Sequence, residues 1–168
     1  MAKGPRYAVK FKRRREGKTN YAKRVALLKS NLPRLVVRFS NYMVRGQIIV
    51  YDVLGDKTIL TANSSELKNY GWDLCGKNTP AAYLTGYLLG KKALKENIKS
   101  VVLDVGLKKI TKGNKSFAFA KGAKDAGLEI SIDPSVLPSE ERIKGKHIED
   151  WLKKDVVKKF EKVKEKIG

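Results

Sequence analysis

The sequence predicts an α/β fold: a mixed sheet in the order β-β-β-α-β-α-β with helices covering it. A basic extended N-terminal arm precedes this unit and a C-terminal amphipathic helix follows it. Three observations carry the prediction. Three runs rich in β-branched residues follow one another at turn spacing, Asn78-Thr79-Pro80 opens a long helix, and a nearly all-apolar run at 100–105 comes after it.

The first strand, residues 34–40 (RLVVRFS), begins after Pro33 and ends at Ser40-Asn41. Residues 47–54 (QIIVYDVL) form a second and residues 57–62 a third, with Gly55-Asp56 between them as a two-residue hairpin turn. The result is an antiparallel meander. In the helix from Asn78 to about Asn97, the capping Asn and an early Pro mark the start. Ala82, Gly86 and Gly90 fall four apart on one face. Two helical glycines cost about 1 kcal/mol each against Ala, and close packing of the helix backbone onto a sheet would compensate. Residues 100–105 suit a central strand covered on both faces. Residues 116–126 form a second helix stopped by Gly127, and residues 128–132 a last, shorter strand ended by Pro134. This order resembles the ribonuclease H-like arrangement. The chain divides into an arm (1–33), a globular domain (34–133) and a C-terminal extension (134–168). In the extension, Ile148, Trp151, Leu152, Val156, Phe160, Val163 and Ile167 make one apolar stripe that docks on the protein's own core or on a partner.

Charge locates the function. Residues 1–34 hold twelve Lys/Arg against one acid, Glu16, and so supply +11 of the chain's +20. Such a density of cations repels itself until a polyanion neutralises it, and nucleic-acid phosphates are the densest polyanion available. Tyr7, Phe11 and Tyr21 interleave with the cations and offer planar faces to unpaired bases. The competing reading is a solvated basic tail or localisation signal. Lys108, Lys109, Lys112 and Lys115 flank Gly113 before a helix, either a phosphate seat or an ordinary basic loop.

Other classes find little support. A two-metal nuclease needs carboxylates on neighbouring strands, and the first strand carries two arginines and no acid. Asp52 and Asp104 remain as strand carboxylates, with Asp104 read as a hydrogen-bonded residue near a strand end. Cys75 is the single cysteine and reads as a buried, inert thiol. His147, the only histidine, is a packing or phosphate-contacting residue and not a metal ligand. No apolar stretch approaches the length of a membrane span and no secretory signal is present, so the expectation is a soluble intracellular protein without a cofactor.

Several segments together resemble one family, the archaeal and eukaryotic branch of the L-eighteen large-subunit ribosomal proteins that carry 5S ribosomal RNA. They are Arg13-Arg14-Arg15-Glu16-Gly17-Lys18-Thr19-Asn20-Tyr21, Pro33-Arg34-Leu35-Val36-Val37-Arg38 with Ser40-Asn41 and Gln47, Tyr70-Gly71-Trp72, Asn78-Thr79-Pro80-Ala81-Ala82-Tyr83, Leu103-Asp104-Val105-Gly106-Leu107, and Asp125-Ala126-Gly127-Leu128. The resemblance implies a non-enzymatic, cytoplasmic, ribosomal RNA-binding protein of the central protuberance, whose arm grips 5S rRNA. Further implied partners are 23S-type large-subunit rRNA and neighbouring ribosomal proteins, the latter through the C-terminal extension. The expected RNA-binding set is Lys10, Phe11, Lys12, Arg13, Arg14, Arg15, Lys18, Thr19, Asn20, Tyr21, Lys23 and Arg24 on the arm. Arg34, Arg38, Ser40, Asn41, Arg45 and Gln47 join it from the sheet, and Lys108, Lys109, Lys112 and Lys115 from the later loop. Within it, Phe11 and Tyr21 stack on bases, and Ser40, Asn41 and Gln47 donate hydrogen bonds from the sheet edge. Met43 stands where the family often has a histidine, with Tyr42 or Arg45 placed to compensate. The first turns of the C-terminal helix, around His147, Ile148 and Trp151, are expected to dock onto this protein or the adjacent RNA, and its later turns to face a ribosomal neighbour.

Overall fold

The computed structural model describes residues 4–153 and 155–168, so the first three residues of the arm and position 154 lie outside the described residues. Among the described residues four strands form one mixed sheet: β1 (Arg34–Phe39), β2 (Val44–Val50), β3 (Lys57–Asn63) and β4 (Val102–Asp104). Their spatial order is β3-β2-β1-β4, with β1 antiparallel to β2 and parallel to β4. Among the described residues seven α-helices accompany them: α1 (Lys12–Arg15), α2 (Tyr21–Leu28), α3 (Thr79–Lys95), α4 (Lys115–Asp125), α5 (Glu140–Lys144), α6 (Lys146–Leu152) and α7 (Val156–Ile167).

Strand alternation sorts the sheet into two faces. Leu35 and Val37 of β1, Val44 and Ile48 of β2, and Ala62 of β3 are buried in the core with α3 and α4. Gly46 sits so close to Phe119 of α4 that an added methyl would overlap its ring. The neighbours Arg45 and Gln47 therefore point to the opposite face, together with Arg34, Val36 and Arg38.

The expected cap at Asn78 is present, and α4 has one that was not anticipated, Asn114. Asn78 accepts the Ala81 N–H at 2.8 Å and Asn114 accepts the Ser116 N–H at 3.2 Å. Gly86 and Gly90 do allow a close approach, but to α4 and not to the sheet. A methyl at Gly86 would overlap the Phe119 carbonyl, and one at Gly122 would overlap that of Tyr83. The two helices thus meet backbone to backbone.

Other expectations are corrected. The second strand runs over Val44–Val50, so a longer loop replaces the two-residue turn, and Asp52 lies in that loop, paired with Lys57. β4 holds only three paired residues, with Val102 and Leu103 half-buried. Beyond it the last strand shrinks to a single parallel bridge, Ser100 to Glu129, so the run is not a central strand covered on both faces. The arm is not extended throughout, because α1 and α2 form within it. Cys75 is exposed, its carbonyl accepting from the buried Trp72 indole N–H.

A last correction concerns the C-terminal stripe, which is broken between α6 and α7 by Lys153 at φ 50°. Of the first turns, expected to dock on this protein or on RNA, Ile148 packs against the core while Trp151 is 80% exposed. The later turns do dock: Val156, Phe160 and Val163 are buried in the main core, and the Phe160 ring lies 5.4 Å from that of Tyr83. Apolar spacing names the buried face of a helix but not the surface that covers it.

Candidate nucleic-acid interface

The arm lies beside the open face of the sheet. Phe11 precedes α1, is 73% exposed, and stands with its ring 5.3 Å from that of Tyr21 at the start of α2. Lys10, Lys12, Arg13, Arg14 and Arg15 are all exposed. Arg13 Nε donates to Thr19 Oγ1 at 2.9 Å, Lys18 pairs with Glu16 at 2.8 Å, and Asn20 Oδ1 caps α2 by accepting the Lys23 N–H. The arm's short hydrogen-bonded turns leave most of its cationic heads free for another anion.

Arg24 and Arg34 are differently placed. Arg24 grips Asp56 with both guanidinium ends, at 2.9 and 2.8 Å. Arg34 is only 4% exposed and donates to Asp56 at 2.5 Å and to Asp104 at 3.1 Å. Asp104 also lies 3.6 Å from Arg38 and accepts the Gly106 N–H at 2.8 Å. Asp104 thus sits in a lattice of donors near a strand end. Arg24's hydrogen bond holds the Asp56 carboxyl below the usual carboxylate range, with Arg34 assisting and partial burial opposing. Lys23 Nζ reaches the Gly106 carbonyl at 3.0 Å. Along one cavity wall Arg13, Lys18, Lys23, Arg24, Arg34 and Arg38 outnumber Asp56 and Asp104.

Farther along the open face, Arg38 and Arg45 are register partners. Arg45 Nε donates to Asn63 Oδ1 at 3.1 Å, and Gln47 stands opposite Thr61, 3.5 Å away. Gln47 therefore occupies the middle of the face and not its edge. Like charges directly opposite each other across a strand pair destabilise it unless an anion joins them. Ser40 is occupied locally: its Oγ accepts the Tyr42 and Met43 N–H groups at 3.2 and 3.0 Å, fixing the β1–β2 turn. That turn presents Tyr42, 83% exposed, and Asn41 to solvent.

The later lysines form a second cationic place, beyond the end of β1. Lys108 lies 4.5 Å above the Phe39 ring, and Lys115 Nζ donates to the Lys77 carbonyl at 3.0 Å. Lys77, Lys108, Lys115 and Arg142 line one cleft with Ser40 and Asn114, and among the described residues no acid lines it. Lys109 meets this loop through its carbonyl, which accepts from Asn114, while Lys112 is exposed in the same loop. Sequence reasoning missed Asp56, Lys77 and Arg142. It also missed Asn63 and Thr61, which the alternation of the third strand places beside Arg45 and Gln47. Among the described residues no three His, Cys, Asp or Glu side chains stand together as a metal site.

Comparison with known proteins gives a consistent result. The family model described as "Ribosomal large subunit proteins 60S L5, and 50S L18" matches residues 5–100 and 95–133. The chain is 49% identical over 165 residues to the large ribosomal subunit protein uL18 of Methanoregula boonei, covering 97% of this chain and 95% of that one. It is 47% identical over 167 residues to that of Methanothrix thermoacetophila, covering 99% of each. Against the uL18 of Caldivirga maquilingensis identity is 55% over 152 residues, covering 90% of this chain and 73% of the relative. With a matching model across most of its length and relatives near half identical, the chain belongs to this family of large-subunit ribosomal proteins, structural components and not enzymes.

Proposed function

We propose that this protein is a structural constituent of the large ribosomal subunit that binds 5S rRNA and docks it into the central protuberance. The interface comprises the arm and the open sheet face. One observation carries the reading most: Arg38 and Arg45 stand opposite each other on a face that the helices leave open, beside an arm rich in uncompensated cations. Lys10, Lys12, Arg13, Arg14, Arg15 and Lys18 track the RNA backbone, and Phe11 and Tyr21 stack on unpaired bases. Arg38, Arg45, Gln47 and Asn41 contact RNA from the sheet side, with Tyr42 beside them at the place Met43 leaves without a histidine. Arg24 and Arg34 hold the platform together, and Ser40 holds its turn. The acid-free cleft of Lys77, Lys108, Lys115 and Arg142 takes phosphates of a second segment, from the large-subunit rRNA. Protein neighbours meet the C-terminal extension at its exposed part, where Trp151 stands clear of the core.

Titrating the full chain with an archaeal 5S rRNA transcript over a range of salt tests this reading, with transfer RNA as competitor. About six neutralised phosphates give a slope near −4 to −5 in log K against log salt. Tight binding with that slope and a preference for the 5S transcript is the expected result. A shallow slope with no preference would contradict it.

A further inference from the structure

Among the described residues α2 has eight residues and none of them is buried. An isolated helix of that length is marginal in water, so tertiary ties must hold it. Leu27 leans toward Val36 and Ile49 without being buried, and among the described residues two polar side-chain ties join the helix to the sheet domain. Arg24 grips Asp56 with both ends of its fork, and Lys23 Nζ donates to the Gly106 carbonyl. Asp56 is shared with the buried Arg34, whose other end is fixed by Asp104, and Asp104 in turn holds the Gly106 N–H. Gly106 is therefore pinned to β4 from one side while it receives Lys23 from the other. Both polar anchors of α2 trace back to two carboxylates on a surface that otherwise collects cations.

We infer that Asp56 is a positioning residue for RNA binding, fixing α2 and the basic arm beside the open sheet face before RNA arrives. This rests on the proposed arm-and-sheet interface and adds a sign to it. An acid in a phosphate-binding surface repels RNA, so deleting its charge should strengthen binding if the acid does nothing else. Asp56 does something else. It converts a helix that would otherwise sample many orientations into one side of a preformed groove, and preorganisation removes an ordering cost from association. The fork geometry matters, because a lysine offers a carboxylate one nitrogen on a flexible stem, as Lys159 does to Asp73, where the Arg24 guanidinium offers two in a rigid plane that fixes orientation.

Three full-length variants test it: Asp56→Asn, Asp52→Asn and Arg24→Lys. Asp52 lies in the same loop, pairs with Lys57 and does not touch the arm, so it controls for charge alone. Amide exchange of residues 21–28 is measured in the free proteins, and affinity for an archaeal 5S rRNA transcript at fixed salt. Asp56→Asn should lose protection across α2 and bind about tenfold more weakly, while Asp52→Asn binds as well as the parent or better. Arg24→Lys keeps the net charge and leaves Arg34 with both acids, so its fold is secure. It too should lose protection across α2. Unchanged protection in Arg24→Lys, or Asp56→Asn binding as tightly as Asp52→Asn, would overturn the inference. If the parent protein fails to bind the transcript, the interface proposal fails, and the exchange data still decide whether the carboxylate positions the helix.

Discussion

Deletion of residues 1–30 should lower affinity for 5S rRNA by at least about a hundredfold while the sheet domain keeps its cooperative melt. The segment holds eleven Lys/Arg against Glu16, half of the chain's net charge. Its removal takes away most of the counterion release on which binding to a polyanion depends, so the salt dependence should flatten as well. Stability should survive, because no residue of α1 or α2 is buried and the core begins at β1. Arg34 keeps both its acids when Arg24 is lost. Titration and thermal melting of the deleted protein check the two halves. Intact affinity would place the RNA site elsewhere on the chain.

Phe160→Ala should cost about 3–5 kcal/mol of stability, and truncation after Asp155 should prevent folding. Phe160 is 3% exposed and packs on Tyr83, with Val156 and Val163 buried on either side. Removing the ring leaves a cavity among rigid neighbours: α3 and α4 already meet backbone to backbone through Gly86 and Gly122 and have little room to close on it. Denaturant melts of the variant give the number. A loss below about 1 kcal/mol would mean that α7 is an appendage, as the sequence had suggested.

That contrast shows where sequence reasoning reached and where it stopped. The meander and the two main helices were legible because their signals are local. β-Branched runs mark the strands, Asn78 with Pro80 announces α3, and Gly127 closes α4, while the Asn114 cap went unread. The destination of the C-terminal stripe was not legible, since helical spacing is the same whether the covering surface is the chain's own core or a partner. The break at Lys153 was hidden too, as the apolar steps continue across it. At the interface, the density of cations pointed to the arm from the sequence alone. The division of labour among those cations did not show. Arg24 and Arg34 differ from Arg13 and Arg45 only through Asp56 and Asp104, which lie 22 to 70 residues away from Arg34 in sequence. Asp56 itself read as a turn residue, yet it carries two arginines, and the loop around it is longer than a tight hairpin allows. Long-range charge pairing of this kind leaves no periodic trace.

The central claim is that the arm and the open sheet face form one RNA-binding surface, and crosslinking tests it most directly. Ultraviolet crosslinking of the full chain to an archaeal 5S rRNA transcript, followed by mapping of the attached peptides, gives the result residue by residue. The account predicts crosslinks within residues 7–21, at Phe11 and Tyr21 above all, and within residues 38–47 around Tyr42. Crosslinks confined to the helical side, at α4 or α7, with none on the arm or the strands, would contradict it.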